Sequence, residues 1–196
     1  MDSIVERRSI RKYKEMEVPQ DQIEKIVEAA VKAPSAKNRQ PWKYIVYCET
    51  AKKELLDIME ESLNKESESH TLLPDSAGGI PDAYNTLKIM RQAPVLIIVM
   101  NTNGRSPFEN INSDDRITEI CDTLSIGASI ENMLLKATEI GLGTLWIANT
   151  CFAYKDLVGA IGEEGQLIGA IAVGYADEMP NPRPRKDIEK TLVFRK

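Results

Sequence analysis

The chain has 196 residues, 42% apolar and 28% charged, a length and composition that fit one domain over 1–196 with a sizeable buried core. No apolar run reaches the roughly 18 residues of a membrane span, and the opening MDSIVERRSIRKY lacks the apolar centre of a secretory signal. Cys48, Cys121 and Cys151 are odd in number and far apart, and His70 is the sole histidine. These counts argue against a zinc site or a histidine-based triad and predict reduced thiols in a cytoplasmic setting.

The net charge of −5 is unevenly spread. Residues 1–14 carry five Lys/Arg and two acids, residues 183–196 carry six and two, and 14 basic against 26 acidic side chains lie between. Two basic ends on an acidic body predict either convergence on a small anion such as phosphate or two solvated faces. A nucleic-acid surface would need a more extended basic face.

Asp2 caps a short helix that reaches Arg8. Arg7, Arg8, Ser9 and Arg11 then fall within five residues, with forked guanidinium donors suited to phosphate oxygens. Pro19 and Asp21 open a second helix, whose Ile23, Ile26, Val27 and Ala30 recur at helical spacing. The stretch Ala33–Tyr47, APSAKNRQPWKYIVY, closes that helix at the Ala33-Pro34 step. It fixes φ again at Pro41, ahead of a strand at Lys43–Cys48. Its amides, hydroxyl and cations suit a plain connector with a core Trp42, or a wall for a flat polar heterocycle.

Ala51–Leu63 reads as an amphipathic helix, and Asn64–Asp82, charged and holding Ser, Pro and a Gly pair, as a mobile loop or lid. Tyr84–Gln92 reads as helix, Val95–Met100 (VLIIVM) as a buried strand and Asn101–Ser113 as a polar loop. Asp114–Ile140 is the longest helical pattern. It is apolar on more than one face, which places it at the centre of a core or at a subunit interface. Thr144–Asn149 and Leu167–Tyr175 read as strands on either side of a short helix at Tyr154–Ile161. The tail PNPRPRKDIEK is extended and then briefly helical, with Thr191–Phe194 a final strand; Trp42 and Trp146 read as core residues.

Gly141 and Gly143 begin a GxGxxG pattern, but Trp146 stands at its third glycine, and no Walker loop is present, so a glycine-loop nucleotide site is unsupported. Five segments taken in order instead resemble one family. They are RRSIRKY (Arg7–Tyr13), APSAKNRQPWKYIV (Ala33–Val46), APVLIIV (Ala93–Val99), SIGASIENMLLKATEIGLGTLWI (Ser125–Ile147) and IAVGYADEMPNPRPRKDIEKTL (Ile171–Leu192). In this order and spacing the chain resembles the FMN-dependent nitroreductases.

The resemblance implies an α+β fold, a three-layer α/β/α sandwich around a central, mostly antiparallel sheet. It implies an intertwined homodimer whose C-terminal strand crosses to the partner's sheet, with FMN at the interface. It implies NADH or NADPH as transient donor and ping-pong hydride transfer through flavin N5 to a small electron-poor acceptor such as a nitroaromatic, quinone or flavin, with no nucleic-acid, membrane or metal partner. The same scaffold hosts reductive dehalogenation, flavin cleavage and flavin binding without turnover, which stand as alternatives.

Residue by residue, the resemblance places Arg7, Arg8 and Ser9 at the FMN phosphate and ribityl chain and Arg11 at the pyrimidine edge. Arg183 and Arg185, beside Lys186, close on the phosphate from the other end. Pro34, Ser35, Ala36 and Asn38 reach the flavin of the partner subunit, Gln40 and Trp42 brace that loop, and Ile147, Ala148 and Asn149 run near N5. Many relatives have two glycines where this chain has Ala148-Asn149, which puts the hydrogen bond to N5 in question. The flavin carries the chemistry, so no side chain is assigned as acid, base or nucleophile.

Overall fold

The computed structural model of the chain describes residues 2–195. Its elements in order are α1 (Ser3–Glu6), α2 (Gln20–Ala30), β1 (Trp42–Cys48), α3 (Glu49–Ser69), α4 (Ile80–Gln92), β2 (Val95–Asn101), α5 (Ser113–Glu139), β3 (Gly143–Ile147), α6 (Tyr154–Ile161) and β4 (Gln166–Gly174). The four strands form one sheet in the order β1-β2-β4-β3, each pair antiparallel. β2 is apolar from Val95 to Met100 because both its faces are covered, and all seven of its residues, Asn101 included, are buried. Leu96, Ile98 and Met100 join the layer built on α3, α4 and α6. Val95, Ile97 and Val99 join the layer built on α2 and α5. The expected three-layer sandwich is thus the arrangement found.

The segment expected to be a mobile loop, Asn64–Asp82, is mostly helical. α3 runs on to Ser69, a 3-10 turn covers Pro74–Gly79, and α4 begins at Ile80 rather than Tyr84. Polar composition concealed this because α3 buries only a narrow stripe, Leu55, Leu56, Met59, Leu63 and Glu66, at spacings of three and four. The buried Glu66 carboxylate accepts the N–H groups of Leu72 (2.9 Å) and Leu73 (3.1 Å), and Leu72, Leu73 and Ala77 pack on the core. β3 stops at Ile147, two residues early, because Asn149–Ala153 winds into a 3-10 turn that leads into α6. Thr191–Phe194 forms no strand within the single chain. Val193 and Phe194 are exposed.

The two ends of the chain meet beside β3 and β4. Ser9 bridges Thr144 in parallel, and the N–H of Ile10 bonds the Thr144 carbonyl at 2.9 Å. Tyr13 bridges Ala176, Lys14 N–H bonds the Tyr175 carbonyl and Asp177 N–H the Lys12 carbonyl. The paired glycines Gly143 and Gly174 leave the room this needs: a Cβ on the first would lie 2.8 Å from Ile10, and on the second 2.8 Å from Tyr13. Buried Tyr13 donates its hydroxyl to the Ile10 carbonyl at 2.9 Å, and burial, then Glu178, holds the phenol well above its usual pKa.

Candidate active site

Because residues 9–14 run alongside residues 175–177, the arginines that precede the first strip face the tail that follows the second. Together they line a cleft of about 270 Å³ formed by Ile4, Val5, Arg7, Arg8, Ser9, Arg11, Pro180, Asn181, Pro182, Arg183 and Arg185. The two basic clusters, more than 170 residues apart in sequence, therefore share one wall, and no acidic residue lines it. Arg7 is held by Glu131 of α5, its Nε donating at 3.1 Å. Three other guanidinium groups bond carbonyls: Arg8 to Val5 and Arg7 at 2.6 and 2.8 Å, Arg11 to Ser9 at 3.1 Å, and Arg185 to Arg183 at 3.1 Å. Glu178 is spent on the backbone N–H groups of Arg11 and Lys12. Five guanidinium groups gathered without a lining carboxylate form a site made for an oxyanion.

Pro34, Ser35, Ala36 and Asn38 do not line this cleft. They belong to a separate loop, closed by Gln40 N–H to Ser35 Oγ (3.0 Å) and Gln40 Nε2 to Asn38 Oδ1 (3.2 Å), the bracing expected of Gln40. The loop is tied to α5 by a pair that sequence reading missed. Arg39 Nε and Nη2 reach Oδ1 of the fully buried Asp122 at 2.8 and 2.7 Å, and Asn103 Nδ2 donates to its Oδ2 at 3.2 Å. The available signal was the position of Asp122 within the helix, between the apolar residues Ile120 and Leu124 and ahead of Ile126, where a carboxylate calls for a cation to pair with it.

Ile147, Ala148 and Asn149 also stand outside the basic cleft. Ile147 is buried, whereas Ala148 is exposed. The Asn149 amide is committed to α4, accepting from Thr86 Oγ1 at 2.7 Å and donating to Asp82 Oδ2 at 3.1 Å. Sequence reading did not find Thr86 or Asp82. Burial pushes the adjacent Cys151 thiol up, away from a reactive thiolate. Trp146, expected in the core, is 43% exposed and lies beside Gly127 of α5. It continues an uncovered apolar stripe of Ile117 (62% exposed), Ile120 (48%) and Leu124 (71%), spaced by three and four along α5.

The sequence model of the Nitroreductase family matches residues 4–175. The chain belongs to the Nitroreductase family. A provisionally named NAD(P)H nitroreductase of Bacillus subtilis, YfhC, is 30% identical over 191 residues, 95% of this chain and 89% of that protein. A relative in Methanothermobacter thermautotrophicus, provisionally named an NADH dehydrogenase/NAD(P)H nitroreductase, is 28% identical over 97% of this chain and 84% of its own. Among solved structures, a BluB-like flavoprotein of Clostridium difficile 630 superposes with a TM-score of 0.76 at 25% identity, covering 100% of this chain and 98% of that one. The FMN-dependent nitroreductase NfnB of Mycobacterium smegmatis, solved with NADPH, shares the fold at 19% identity and a TM-score of 0.75, covering 99% of this chain and 96% of its own.

Proposed function

We propose that this member of the Nitroreductase family is an FMN-dependent oxidoreductase that works as a homodimer, takes electrons from NADH or NADPH and reduces a small electron-poor acceptor. The observation that carries the reading is the convergence of both basic chain ends on one acid-free cleft, whose donors suit a phosphate monoester. Arg7, Arg8, Ser9, Arg11, Arg183 and Arg185 would hold the phosphate end of FMN. Pro34, Ser35, Ala36 and Asn38 would wall the ring across the dimer interface, and the Ile147–Asn149 backbone would lie near its reactive edge. When bound, the flavin supplies a two-electron carrier between nicotinamide donor and acceptor. With the Asn149 amide spent on Thr86 and Asp82, that stretch would address the flavin through its main chain.

Two surfaces support the dimer. The stripe of Ile117, Ile120, Leu124 and Trp146 is an apolar face in need of cover, and a second α5 would cover it. β1 is an edge strand with one side unpaired, and a groove of about 620 Å³ lies between it and α2, lined in part by Val18, Ile23, Val27 and Val46. The exposed tail at Leu192, Val193 and Phe194 of a second copy would pair with that edge. Reductive dehalogenation would need a Glu, a Tyr and a Lys gathered over the flavin, and two of the side chains that could serve are otherwise engaged: Glu66 is buried on backbone N–H groups, and the Tyr84 hydroxyl donates to Asn64 at 2.6 Å.

The test is purification followed by FMN titration and anaerobic addition of NADH and NADPH. A yellow dimer bleached by either donor is expected, with Arg185→Ala binding FMN at least about tenfold more weakly, the loss of one charge-assisted hydrogen bond. A colourless protein that takes up no added FMN would overturn the reading.

A further inference from the structure

The loop joining α2 to β1 is strained where it is exposed and anchored where it is buried. Lys37, Asn38 and Gln40 are exposed and have φ of 54°, 55° and 48°, the left-handed region that non-glycine residues avoid. A mere connector has no need of three such residues in four. Conformations of this kind persist only where the surroundings over-determine them, and they gather at ligand clamps.

The surroundings here are two points on α5. Ala36 N–H donates to Ser125 Oγ at 3.2 Å, ahead of the strained residues. Arg39, between Asn38 and Gln40, turns inward and places Nε and Nη2 at 2.8 and 2.7 Å from Asp122 Oδ1. Ser125 and Asp122 lie three residues apart, so one turn of α5 grips both sides of the Lys37-Asn38 kink. Asn103 occupies the second oxygen of Asp122, which leaves the carboxylate committed to holding this loop and the 101–103 turn against the helix.

We infer that Arg39 and Asp122 are positioning residues that keep Ser35–Asn38 preformed for the flavin, so that cofactor affinity depends on an ion pair that touches no cofactor. The inference rests on the reading of that loop as a flavin wall. The free loop would otherwise relax toward ordinary backbone conformations, and binding would have to reimpose the kink each time.

The experiment compares wild type with Arg39→Lys, which keeps the charge but loses the planar fork, and with Asp122→Asn. On FMN-stripped protein, quenching of FMN fluorescence gives affinity, and limited trypsinolysis gives the rate of cleavage after Lys37. The expected result for Arg39→Lys is at least tenfold weaker FMN binding and at least tenfold faster cleavage after Lys37. Saturating FMN should restore protection, with an altered visible circular dichroism of the bound flavin. Should Asp122→Asn fail to fold, Arg39→Lys decides alone. Variants that bind FMN within twofold of a flavin-binding wild type, or that are cut no faster, overturn the inference and leave the proposed function standing. A wild type that takes up no FMN overturns the function reading and this inference with it.

Discussion

Two carboxylates are buried among the described residues, Asp122 and Glu66, and they are satisfied in opposite ways. Asp122, on α5, is answered by Arg39, 83 residues earlier, and by Asn103 from the turn after β2. Glu66, on α3, is answered by the backbone N–H groups of Leu72 and Leu73, at most seven residues later. The first arrangement exists only when three distant segments have come together. The second needs one turn of chain, helped by His70, whose left-handed φ of 49° ends the helix and whose N–H bonds the Glu66 carbonyl at 2.8 Å. A long-range partner makes a buried charge a tie between elements, whereas a local one makes it a cap on a single element.

The largest expected effect separates the two. Arg39→Ala strands Asp122 without its cation and should cost about 3–5 kcal/mol of unfolding free energy, read from urea denaturation. A loss below about 1 kcal/mol would reduce the pair to the worth of a surface ion pair and erase the contrast. Glu66→Gln should cost less, about 1.5–3 kcal/mol, because hydrogen bonds to a charged acceptor are weakened while the local turn survives.

Its pH dependence sharpens the point. Burial pushes the Glu66 carboxyl up, but the backbone N–H groups of Leu73, Leu72 and Thr71 and the Thr71 hydroxyl outweigh this and hold it below its ordinary value. A depressed folded pKa stabilises fully above the unfolded value, and that stability is lost as pH falls through the folded one. Wild type should therefore lose more stability than Glu66→Gln as pH falls below the unfolded carboxylate value of about 4.3 and through the lower folded one. Equal slopes in paired thermal melts would show that Glu66 contributes no such cap. The smallest effect has the opposite sign: Lys37→Gly should stabilise by about 0.5–1 kcal/mol, since glycine accepts a φ of 54° without a Cβ clash, offset in part by unfolded-state entropy.

These contrasts also mark where sequence reading worked. VLIIVM could only be a strand covered on both faces, and Ile23, Ile26 and Ala30 could only be the inner stripe of a helix, because burial follows directly from period. Charge alone left the basic ends open between convergence on an anion and two solvated faces, and the fold decided for convergence by bringing both onto one cleft. Asn64–Asp82 was misread because its apolar anchors are few and its strongest tie is a carboxylate on backbone N–H groups, a pattern invisible in composition. Trp146 was misplaced because an aromatic in a strand reads as core whether its cover is the same chain or another surface.

The sequence by itself determined most of the elements and the basic character of both chain ends, because period and charge are properties of neighbours along the chain, while the three-layer sandwich followed from the ordered resemblance to a family. Only the tertiary structure decided that Arg39 belongs to Asp122, that Asn149 is bound to Thr86 and Asp82, and that the loop before β1 is held in a left-handed kink. Each of those depends on which distant group arrives within about 3 Å, and a buried charge or a strained φ is settled by its surroundings, not by its place in the chain.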